Sequence, residues 1–125
     1  MTLVLDSAAF LALDRNERPM WTRLKAAQSS GDPPRTHAGV LGQVWRDGSR
    51  QARLAQALRG VDVLPLDEPL GRAAGELLAA AGVSDVVDAA LVLLAEDADE
   101  IVTSDIGDLE KLALPAARHV ELIRP

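Results

Sequence analysis

The sequence predicts an α/β domain of three layers, with a mainly parallel central sheet of four to five strands. Three features carry that expectation. Short apolar runs alternate with segments of helical periodicity along the whole chain. The runs lack in–out alternation, as strands buried on both faces do. The 125 residues contain no internal repeat, and that length builds one domain with a sizeable core, expected to span residues 1–125.

Thr2 to Leu5 forms the first apolar run, and Asp6 stands where it ends. Ser7 is placed to cap a helix from Ala8 to about Asp14. Pro19 suits the first turn of a second helix, which runs to Gln28 with Trp21 and Leu24 on one face. Residues 29–34, rich in Ser, Gly and Pro, form a loop. Thr36 is expected to cap a helix carrying Val40, Leu41, Val44 and Trp45, although Gly39, Gly42 and Gly48 weaken it. From Ser49 another helix carries Ala52, Leu54, Ala55 and Leu58 and stops at Gly60. Val61 to Leu64 reads as a strand. Asp67 caps a long helix through Ala81, ended by Gly82. Ser84 is expected to cap the next helix, with Asp85 and Asp88 on one side of its start. Ala89 to Ala95 is apolar almost all round, which predicts a buried helix. Glu100 to Thr103 is a strand ending at Ser104-Asp105. Leu109 to Leu114 completes a short helix closed by Pro115, and His119 to Ile123 is a last strand.

Composition excludes several chemistries. There is no cysteine, so disulfides, thiolate zinc sites and thiol catalysis are ruled out. No apolar run reaches the ~18 residues of a membrane span, and the first residues lack a basic leader, so a cytoplasmic protein with no membrane partner is expected. The net charge of −6 does not favour polyanions overall. With only Phe10, Trp21 and Trp45 as aromatics, base stacking is nearly absent, and any nucleic-acid contact rests on phosphates, metal and shape.

The informative residues are acids. In open parallel sheets the ligand crevice lies beyond the carboxyl ends of the strands. Asp6 and Asp105 both fall there, and the helix start bearing Asp85 and Asp88 can join them. Carboxylates packed together repel, and a hard divalent cation such as Mg2+ or Mn2+ relieves the repulsion. Such a cation activates water against a phosphodiester. Plain alternatives stand beside this reading: Asp6 as an N-cap, Asp85 as an acid serving the helix dipole, Asp108 as a solvated acid. Ser7, Thr103 and Ser104 either bond carboxylates or phosphate, or simply end strands. Arg46, Arg50 and Arg53 fall at i, i+4 and i+7, one helical stripe. It is either a phosphate-tracking surface for RNA or an ordinary solvated face. His37 and His119 have no metal-ligand partner at helical spacing and are expected at the surface or a strand edge. An aspartyl-nucleophile phosphatase would place a second Asp at position 8, where Ala8 stands.

Three stretches together resemble one family. VLDSAAFLAL resembles the opening of a PIN domain, SDVVDAALVLLA its central Asp-Ala helix, and IVTSDIGDL its strand and acidic loop. Their order and spacing over nearly the whole chain resemble the VapC-type toxins of bacterial toxin–antitoxin pairs. The resemblance implies a PIN-like α/β/α sandwich and an Mg2+-dependent (or Mn2+-dependent) endoribonuclease, restrained by a VapB-type antitoxin and self-associating as a homodimer. It assigns Asp6, Asp88 and Asp105 as catalytic metal carboxylates, with Asp85 as a further ligand and Asp108 as an accessory. The family's second acid, usually Glu, falls near Gln43, which brings a carbonyl oxygen but no charge. That departure keeps open a degenerate PIN domain that binds a protein partner without cutting RNA.

Overall fold

The computed structural model describes all residues, Met1–Pro125. Its five strands are β1 (Leu3–Leu5), β2 (Arg35–His37), β3 (Asp62–Leu64), β4 (Glu100–Val102) and β5 (Glu121–Ile123). They pair in the order β3-β2-β1-β4-β5, every pair parallel. Seven helices connect them: α1 (Ser7–Asp14), α2 (Arg18–Ser29), α3 (Ala38–Val44), α4 (Ala52–Leu58), α5 (Glu68–Ala81), α6 (Val86–Leu94) and α7 (Ile106–Ala113).

The strand order explains the layers. From β1 the chain steps to β2 and then β3 in one direction. It then crosses back over β1 to β4 and β5. Right-handed crossovers put helices made while stepping in opposite directions on opposite faces. Accordingly α2, α3 and α4 pack around α1, while α5, α6 and α7 pack against one another. The central strands β1 and β4 are thereby covered on both sides, and Val4, Leu5, Ile101 and Val102 are fully buried. They join Phe10, Leu13, Met20, Leu24, Leu54, Leu91 and Leu109 in one continuous apolar cluster. No single helix is long and apolar enough to cross a membrane.

Several local expectations needed correction. Thr36 does not cap a helix: it lies within β2, and its hydroxyl donates to the Leu5 carbonyl at 2.8 Å. His37 caps α3 instead. That helix ends at Val44, because the Trp45 backbone turns extended. Residues 48–50 form a single 3-10 turn, so the following helix begins at Ala52 rather than Ser49. Gly82 does stop α5, in the left-handed conformation (φ 70°) that costs glycine nothing.

Candidate metal centre

The switch point of the sheet lies at β1 and β4, where successive connections diverge. Asp6 leaves the carboxyl end of β1 and Thr103 that of β4. Asp6 is buried and caps α1, accepting the Ser7 N–H at 2.7 Å. Its other carboxyl oxygen accepts the Thr103 hydroxyl, also at 2.7 Å. Thr103 Oγ1 in turn accepts the Asp105 N–H at 3.0 Å. A short relay thus fixes two strand ends and two acids relative to each other.

Asp85, not Ser84, is the N-cap of α6, and its carboxyl accepts the N–H groups of Val87 (2.9 Å) and Asp88 (3.2 Å). Asp outcompetes Ser here because the extended backbone at Asp85 aims a charged acceptor at both amides. With the first-turn donors occupied by Asp85, Asp88 turns its side chain inward and is buried. Carboxylate oxygens of Asp88, Asp105 and Asp108 lie within 4.8 Å of one another. Burial, then the charges of Asp6, Asp85 and Asp105, push the Asp88 carboxyl up to about 7. Asp105 is also raised, first by desolvation and next by the Asp108 charge, with Asp88 pulling the other way through a hydrogen bond. Asp88 and Asp105, both held above the usual carboxylate range beside further acids, favour a divalent cation with oxygen ligands. A cavity of about 180 Å³ opens beside them, lined by Ser84, Asp85, Asp88 and Asp108 among others.

The chain shares its backbone course with one chain of a solved structure. One chain of the crystal structure of VapBC2 from Rickettsia felis, bound to a DNA fragment from their promoter, matches it with a TM-score of 0.72. The match covers 98% of each chain at 14% sequence identity. The fold is PIN-like. No family model and no curated protein matches the sequence, so the PIN-like architecture rests on three-dimensional similarity.

Within the PIN-like frame, the sequence-predicted acids Asp6, Asp88 and Asp105 come together from β1, α6 and β4. Asp108 is drawn in more closely than Asp85, which remains at the helix cap. Ser7 contributes its backbone N–H, and Ser104 is exposed. Gln43 is exposed on α3. The arginine stripe does not exist, because the helix is broken between its members. Arg46 folds back onto the carbonyls of Gly42 and Trp45, Arg50 pairs with Asp47 at 3.7 Å, and only Arg53 lies on α4. Arg53 instead lines a cleft of about 390 Å³ with Asn16, Arg18, Trp21, Lys25 and Gln56, and no acid faces it.

His119 is exposed near Asp97, as expected. His37 is not at the surface: it is fully buried at the carboxyl end of β2, where the charge of Asp6 reaches it. Sequence reasoning missed it because residues 35–37, Arg-Thr-His, carry no apolar strand signature. The available signal was position: Arg-Thr-His follows a Pro-Pro loop and precedes a glycine-containing helix, the place of a β-to-α turn.

Proposed function

We propose that this protein is a cytoplasmic, metal-dependent endoribonuclease of the VapC kind, the toxin of a pair with a VapB-type antitoxin, acting as a homodimer. The observation that carries the reading is the convergence of Asp6, Asp88, Asp105 and Asp108 at the switch point, with Asp88 raised to about 7 by its surroundings. Similarity to a chain of VapBC2 supports the partner class. Bound there, Mg2+ or Mn2+ would supply positive charge against the phosphate and lower the pKa of a water. The chain's own part is orientation. Thr103 and Ser7 hold Asp6 in one rotamer, and the Thr103 hydroxyl ties the Asp105 backbone to it. Asp88 must lose its proton to serve as a ligand, so proton and cation compete for it and cation affinity rises with pH. The cations of the Arg18, Lys25 and Arg53 cleft offer phosphate contacts that the acidic centre itself repels.

Cleavage of cellular RNA by the purified protein with Mg2+ or Mn2+, against Asp6→Asn, tests the reading. Equal cleavage by the two would remove it. A second reading rests on Gln43, the uncharged residue near the family's second acid. In that case the domain binds its partner and no cation, and calorimetric titration with Mn2+ gives no heat.

A further inference from the structure

The ring of His37 joins the start of α3 to α6, the helix that bears Asp88. Nδ1 accepts the Gly39 N–H at 3.0 Å, at the start of α3. An amide can only donate, so Nδ1 carries no proton and Nε2 must carry it. Nε2 then donates to the Val87 carbonyl at 2.9 Å, in the first turn of α6. Val87 C=O and Asp88 N–H belong to one planar peptide group. His37 holds its carbonyl end, and Asp85 holds its N–H end at 3.2 Å. The α-carbon of Asp88 follows directly.

We propose that His37 is a positioning residue of the acid centre, clamping the peptide from which Asp88 projects toward its partners. The ring itself is held in place. A Cβ added at Gly39 would meet its Cε1 at 2.8 Å and its Nδ1 at 3.0 Å, so glycine there lets the ring sit against α3. Full burial of an imidazole is costly unless both nitrogens are bonded, and here both are, to the helices bearing Gln43 and Asp88. Burial also lowers the His37 pKa, which keeps the ring in the one form that makes both bonds. A side chain serving only to fill the space would be apolar.

The inference rests on the metal-dependent reading for its consequence but not for its test. His37→Asn keeps an oxygen near the place of Nδ1, so α3 stays capped, but it cannot reach Val87. His37→Gln extends an amide nitrogen toward Val87 and gives up the cap. Calorimetric Mn2+ affinity is expected to fall about tenfold or more in His37→Asn, the usual consequence of losing an outer-shell partner. It should stay close to the parent in His37→Gln. Hydrogen exchange at the Asp88 amide should quicken in His37→Asn and stay slow in His37→Gln, while the helix of Leu109 and Leu112 is unchanged in both. Gly39→Ala, which pushes the ring without removing it, should shift both measurements as His37→Asn does. A parent that binds no Mn2+ sinks the metal-dependent reading alone, and the exchange data still decide the clamp. Unaltered Asp88 exchange in His37→Asn and Gly39→Ala overturns it.

Discussion

The two ends of one sheet each bury aspartate, and they use it differently. At the amino end, Asp99 is 4% exposed, and its two oxygens accept the backbone N–H groups of Thr2 (2.7 Å) and Glu96 (2.9 Å). At the carboxyl end, Asp88 is 5% exposed, yet the amides of its own helical turn are taken by Asp85. What Asp88 faces instead is Asp6, Asp85 and Asp105. Burial alone therefore says little about an acid's purpose. Backbone donors make a buried carboxylate a strut that joins chain segments. Neighbouring acids make it a group held in its unfavourable state, which is where binding and catalysis are found.

The largest expected effect separates the two ends by function. Asp6→Asn should lower RNA cleavage by about 100-fold or more, the scale on which losing one charge-placing group acts. Asp99→Ala should leave cleavage per folded molecule and Mn2+ affinity unchanged. Its cost falls on stability, about 2–4 kcal/mol for two buried N–H groups left without an acceptor. Melting should drop by roughly 10 °C in a domain of this size. A folded Asp99→Ala protein with weakened Mn2+ binding would erase the distinction.

Acidity sharpens it next. An unfolded carboxyl titrates near 3.8 and folded Asp88 near 7. The folded protein thus holds this proton more tightly, so below about pH 4 Asp88 carries no ionisation cost. The cost grows as pH rises through the window to 7 and is complete above it. Asp105 is displaced in the same direction. Without divalent cation, melting should fall from pH 5.5 to 8, by roughly 5 °C for each kcal/mol lost. Asp88→Asn should flatten that fall, and Mn2+ at pH 8 should raise the parent's melting temperature but not the variant's. A variant as pH-sensitive as the parent would mean that Asp88 is not strained.

Much of this was legible in the sequence, for reasons that also explain the failures. Asp6 and Asp105 could be placed because each ends an apolar run, and a parallel sheet sends all such ends to one edge. The α5 helix could be read whole, since Asp67 and Gly82 cap it as side-chain chemistry dictates. β2 could not: three residues of Arg-Thr-His are a strand only because β1 and β3 pair with them. His37 went with it, since a residue cannot be seen as buried before its strand is. Ser84 and Asp85 are both good caps by composition, and only the hydrogen bonds from Val87 and Asp88 show that Asp85 takes the role. The arginine stripe failed because periodicity was counted across a break, between Trp45 and the 3-10 turn at residues 48–50, that Gly48 already marked.

The smallest expected effect concerns the one exposed pair in the carboxyl-end cluster. Asp108 and Asp105 both sit within 4.8 Å of Asp88 and each other, but their surroundings differ. The Asp105 amide is fastened to Thr103, whereas Asp108 leans toward Lys111 at 3.9 Å, in solvent. Removing the Asp108 charge also removes one cause of the raised Asp105 pKa, which makes Asp105 the better anion. The two consequences oppose each other. Asp108→Asn should therefore weaken Mn2+ binding only about threefold, against about tenfold or more for Asp105→Asn. If Asp108→Asn is instead the more damaging, the cation is centred on the solvent side of the cluster. The buried Asp6 is then, like Asp99, a strut, tying β1 to β4 through Thr103.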